Sequence, residues 1–158
     1  MSQFLVAACV WLHALATVVF IGHYVLLAMV YLPALQGIPQ EARGAAVSAI
    51  SRRSRSWLYA ALVAFVISGL YLMLVDPNYL GLGTFFGNPW SILMSVKHLL
   101  VFAMIVLGFW FNAILRVGPL ASANTGSAQG VERFRAHANA MAVMGAAVLL
   151  LTALAQIL

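Results

Sequence analysis

The sequence predicts an all-α membrane protein, a transmembrane antiparallel four-helix bundle with both termini on the non-cytoplasmic side. Three observations carry this. First, 65% of the 158 residues are hydrophobic and 7% are charged, whereas a soluble domain carries about 25% charged residues. Second, there are four apolar runs, each close to the roughly 20 residues that cross the hydrocarbon of a bilayer. They fall at about 4–35, 57–75, 89–115 and 134–158. Third, the arginines are confined to two connections. Arg43, Arg52, Arg53 and Arg55 lie in 36–56, and Arg116, Arg133 and Arg135 in 116–135, while 76–90 has no basic residue. Excess Lys and Arg mark the cytoplasmic side, so the termini and the 76–90 loop are expected outside. One domain of this kind, in a bacterial inner membrane, accounts for the whole chain. The net charge of +5 is this orientation signal, not a footprint for nucleic acid.

The first run, WLHALATVVFIGHYVLLAMVYLPAL from Trp11, is ended by Pro33, Gly37 and Pro39 and exceeds one bilayer thickness. It therefore tilts or projects past the lipid. Cys9 is the single cysteine, so no intrachain disulfide forms, and it reads as a buried apolar residue. The second run stops at Asp76-Pro77 and the third near Gly118-Pro119. The loop between them, with Tyr79, Phe85, Phe86 and Trp90, reads as an interfacial aromatic belt or as a cap or docking surface. Short connections make neighbouring helices antiparallel.

The chemistry concentrates in the histidines. A histidine within a span is costly without a partner and marks a functional site. His13 and His23 are ten residues apart on one helix, which places them about 15 Å apart along its axis and roughly 80° around it. Counted by depth, His13 matches His98 on the third helix, and His23 matches His137 at the start of the fourth. Paired imidazoles on facing helices are what a b-type haem takes as axial ligands. All four histidines are therefore candidate iron ligands for one or two haems. Gly22, with Ala14, Ala16 and Thr17, offers flat space beside the first helix. Ala138, Ala142 and Ala146 repeat this on the fourth, a spacing that close helix packing also explains. Arg53 and Arg135, with Arg55 and Arg133, are placed to meet propionates at the inner edge. Lys97 lies near the outer surface and either snorkels, pairs with a bound anion, or pairs with Asp76. Asn112 lies on the His98 face and can donate to a ligand.

Each histidine has a plainer reading, a hydrogen bond to a carbonyl across helices. His137, Met141 and Met144 share a face, and imidazole with thioether suits Cu(I), although methionine is also ordinary core filler. No acid lies within a span and no nucleophile–base pair or phosphate loop is present, so the residues leave open whether the protein is an enzyme.

The first helix resembles the opening helix of the CopD-like integral membrane domain family, through Trp11-Leu12-His13, Gly22 and Leu32-Pro33-Ala34-Leu35. The third is similar through Lys97, Leu99, Leu100, Val101 and Asn112, and the fourth through its LLLTALAQIL end. The HemJ-type protoporphyrinogen oxidases look like relatives, sharing a first-helix His and a third-helix Lys at His13 and Lys97. The first resemblance implies copper uptake or resistance. The second implies haem b and oxidation of a porphyrinogen. His23 and His98 are not part of either pattern, which favours a haem-carrying offshoot. The expected function is thus a small cytochrome b-like protein that carries electrons within or across the membrane. A redox protein or a quinol is its expected partner, and it works alone or as a subunit of a homo- or hetero-oligomer.

Overall fold

The computed structural model describes residues 3–79, 81, 87–117 and 128–157. Among them every regular element is helical: α1 (Gln3–Leu26), α2 (Gln40–Val75), α3 (Pro89–Val117) and α4 (Ala128–Ala155). Four stretches are long and apolar enough to cross a membrane: Gln3–Gly37, Glu41–Val75, Pro89–Trp110 and Glu132–Ala155. Large apolar side chains such as Val18, Ile67, Leu99 and Val143 point outward, the surface that acyl chains solvate. Trp11, Trp57 and Trp110 are exposed as well. Trp90, expected in an aromatic belt, is instead buried at the start of α3, and Phe85 and Phe86 lie outside the described residues. Cys9 is half-buried rather than buried.

The path between α1 and α2 follows from its prolines. Pro33 has no N–H to donate to Met29 and its ring crowds that carbonyl. The helix widens just before it, into a π-helical turn over Leu27–Tyr31 whose end is closed by the Leu32 N–H on the Leu27 carbonyl. A short α-turn over Leu32–Ala34 and a 3-10 turn over Leu35–Gly37 follow. Pro39 then opens α2, and Arg43 donates from its guanidinium to the carbonyls of Gln36 and Ile38. The connection expected at 36–56 is therefore mostly helix. Its arginines ride on a 36-residue α2, which at about 1.5 Å per residue is longer than a bilayer core and leaves the arginine-bearing end outside it.

At the other end of α2, Asp76 precedes Pro77 and is extended, as the residue before a proline prefers. Its carboxylate accepts from the Asn78 N–H at 2.9 Å. Asn88 caps α3 by accepting from the Ser91 N–H at 2.6 Å, with Pro89 in the first turn. Its amide also reaches the Asn78 carbonyl at 3.3 Å, which joins the two ends of this loop.

Helix packing has a definite order. α1 packs against α2 and α4, and α4 packs against α3, whereas α2 and α3 make only marginal backbone contact. One core joins Phe20, Ile21 and Tyr24 of α1 to Ala61, Met104, Met141 and Val148. A second, at the arginine-bearing end, joins Leu27, Leu32, Val47, Phe134 and Ala138. The α1–α4 seam depends on Gly145, where a Cβ would stand 2.7 Å from Ile21 Cγ2. The close-packed register on α4 is thus Ala138, Met141, Gly145 and Val148. Of the alanines singled out from spacing, Ala138 is buried, Ala142 is half-buried and Ala146 is exposed.

Candidate functional site

His13 is held across the α1–α2 interface by a specific network. Its Nδ1 lies 3.1 Å from the Phe65 carbonyl and 3.0 Å from Ser68 Oγ. Ser68 is 1% exposed, and its hydroxyl donates to the Ala64 carbonyl at 2.5 Å. With that proton committed, the Ser68 oxygen can only accept from the ring, as the Phe65 carbonyl must. The network therefore assigns the proton of a neutral imidazole to Nδ1 and leaves the lone pair on Nε2. The ring also stacks on Phe65, with centroids 4.5 Å apart and planes at 23°. Gly69 makes room for it, since a Cβ there would stand 2.9 Å from His13 Cε1.

His98 has the same polarity by a different route. Its Nδ1 is 2.6 Å from the Met94 carbonyl, one turn back on α3. A carbonyl only accepts, so Nδ1 carries the proton and Nε2 again carries the lone pair. His98 and the Lys97 ammonium both lie within electrostatic range of the His13 ring, and Asp76 lies within range of Lys97. One end of the bundle thus gathers two imidazoles, one ammonium and one carboxylate from α1, α3 and the end of α2.

The other two histidines meet at a cleft. His23 and His137 line it together with Tyr24, Ser51, Arg55 and Tyr59. The Tyr24 ring stands edge-on to both imidazoles, at 5.3 Å from His23 and 6.2 Å from His137. Its free volume is about 70 Å³.

Other sequence-based candidates lie elsewhere. Arg53 and Arg135 are exposed, while Arg55, half-buried, faces the cleft. A Cβ on Gly22 would meet nothing within 4 Å, so this glycine borders open space on α1. The glycine that does border the cleft is Gly108. Asn112 lies on α3 with its side chain outside the described residues. Met141 is fully buried in the core, with Met144 packed against that cluster. Among the described residues, no three His, Cys, Asp or Glu side chains converge as a metal cluster would require.

The chain matches no family model, no curated protein and no solved structure. The functional argument therefore rests on the residues themselves. Sequence spacing marked the histidines but missed Phe65, Ser68 and Gly69, which orient His13. The available signal was Ser68-Gly69, a polar residue and a gap side by side in the apolar run ALVAFVISGLYLMLV.

Proposed function

We propose that this is a haem b-carrying protein of a bacterial inner membrane, with His13 and His98 as the axial ligands of one iron. The observation that supports it is the shared polarity of the two rings: each has Nδ1 committed to a carbonyl and Nε2 left as a base. Imidazoles that bind metal are held this way, with the second ring nitrogen donating to a carbonyl or carboxylate that fixes tautomer and orientation. Two such donors on different helices suit an iron that needs only two ligands from the protein. A tetrahedral metal needs a third or fourth. When bound, haem supplies one-electron exchange at its iron. The protein's own residues orient the two bases and, through Lys97, offer a cation for an anionic edge of the ligand. A redox protein or a quinol would exchange electrons with it. In this reading the helices cross the bilayer antiparallel, with the arginine-bearing ends in the cytoplasm and both termini outside.

One haem is favoured over two. The hydrogen bonds that fix a proton on Nδ1 and aim Nε2 outward are seen at His13 and His98. The test is the dithionite-reduced spectrum and pyridine haemochrome content of the purified protein. A b-type spectrum at one haem per chain is expected, lost or severely reduced in His13→Ala and unchanged in His23→Ala. Full haem occupancy in His13→Ala would remove the proposal.

A second reading is favoured by Lys97 lying within electrostatic range of His13, the pair that the HemJ-type resemblance singles out. In it, the same place oxidises a porphyrinogen and passes the electrons to a partner. Appearance of porphyrin fluorescence in membranes given protoporphyrinogen, lost in Lys97→Met, separates this enzyme from a pure carrier.

A further inference from the structure

The four helices do not close evenly. Because α2 and α3 make only marginal backbone contact, a cleft opens between them, floored by α1 and α4. It lies toward the arginine-bearing end, away from His13 and His98. We infer that this cleft binds the head of a single-ring quinone or quinol, a planar dione or diol on an apolar tail. This rests on the proposed function in that it gives the quinol partner named there a site, and its test is read without the haem.

Four features of the cleft select that ligand. Its walls are mostly aromatic and aliphatic, including Phe20, Tyr59 and Phe109. Tyr59 and Phe109 stack at 5.9 Å and 22°, which ties α2 to α3 beside the opening and sets a flat boundary. Its polar groups are of the right type. The phenol of Tyr24 and the imidazole of His23 can each donate to a quinone carbonyl or accept from a quinol hydroxyl. A site that holds both oxidation states needs such two-way partners. Arg55 and Ser51 add donors near the rim.

Size favours a small ring. The enclosed part of the cleft, about 70 Å³, takes about five waters, so a single ring is held partly in the open mouth between α2 and α3. The gap between α2 and α3 then gives the tail a way out to the acyl chains. Charge decides against a phospholipid headgroup, because Arg55 is the one permanent cation among the lining residues and most of the lining is apolar. Small-molecule sites share this plan of an apolar cleft with a few convergent polar groups.

Gly108 provides the discriminating variant. A Cβ there would lie 3.7 Å from the Tyr24 hydroxyl and 3.9 Å from Met141 Cε, ordinary contacts that an alanine tolerates. A leucine would fill the cleft. The experiment is calorimetric titration of the full chain in detergent with a decyl-tailed benzoquinone, with circular dichroism to check helicity. Saturable one-to-one binding is expected, retained in Gly108→Ala and weakened at least tenfold in Gly108→Leu. Tyr24→Phe, which removes one hydroxyl and keeps the ring, is expected to weaken it several-fold and serves if Gly108→Leu loses its helical signal. Absence of saturable binding, or unchanged affinity in a folded Gly108→Leu or in Tyr24→Phe, overturns the inference. So does a co-purified phospholipid that the quinone fails to displace, which would assign the cleft to lipid. The titration makes no use of the Soret band. A colourless protein that binds the quinone would retain this site and lose the haem.

Discussion

At the scale of single residues, the behaviour of His13 is set by groups more than fifty positions away in sequence. The Phe65 carbonyl and Ser68 Oγ together fix its tautomer, the Phe65 ring supports its face and Gly69 clears its edge. Removing an outer-shell partner of a ligating histidine typically costs 10–100-fold in affinity or activity. Under the haem proposal, Ser68→Ala is therefore expected to weaken haem binding by about tenfold while leaving the fold intact, because the Phe65 carbonyl still holds the ring. Haem titration of the apoprotein measures this. Gly69→Ala acts by displacement, since its Cβ would overlap the imidazole. The expected result is a shifted or depleted reduced spectrum with normal helicity, and a spectrum identical to wild type would show that the ring has room to spare. The histidines were legible in the sequence because an imidazole in an apolar run stands out. Ser68 and Gly69 were not, because small residues are common in membrane helices and nothing local to α2 says which ring they face.

Single elements reveal where pattern reading stops. The apolar core of α2 was plain from composition, but nearly its first half, EARGAAVSAISRRSRS, looked like a connection because it is charged. Alanine and arginine are strong helix formers, and once Pro39 has started the helix no proline interrupts it before Pro77. Charge marked where the helix leaves the bilayer and said nothing about where it begins. On α4, alanines at four-residue spacing were visible, yet the tightest approach is made by Gly145 against Ile21. Gly145→Val is expected to push α1 from α4 and to destabilise the protein by about 1–3 kcal/mol, the usual range for an overfilled core. Ile21→Ala in the same chain should recover much of that loss. Unfolding in denaturing detergent, compared across the two single variants and the double, tests the coupling. Additive losses would mean that the two side chains do not compete for one space.

For the whole molecule, composition alone indicated four long apolar helices, and the structure has them. The neighbour relations were not accessible in that way, because hydropathy reports which segments enter lipid and not which faces meet. The proposed orientation still rests on the arginines. A reporter active only in the cytoplasm, fused after the last residue, is expected to stay silent, while the same reporter placed in the Arg116–Arg133 connection is expected to be active. The reverse result would invert the molecule and exchange the compartments of the two histidine pairs. The packing order also carries a consequence for synthesis. Helices α1 and α2 pack as one pair and α3 and α4 as another, and the α1–α4 seam is the main contact between the pairs. Every group that orients His13 (Phe65, Ser68 and Gly69) lies on the first pair, so a chain synthesised only through α2 is expected to hold that imidazole already aimed. The second pair then brings His98 and, with its final helix, fastens the oldest part of the chain to the newest. Under the haem proposal, capture of the ligand then waits for a finished polypeptide, and a chain truncated before α4 is expected to present a pointed His13 with nothing to hold His98 opposite it.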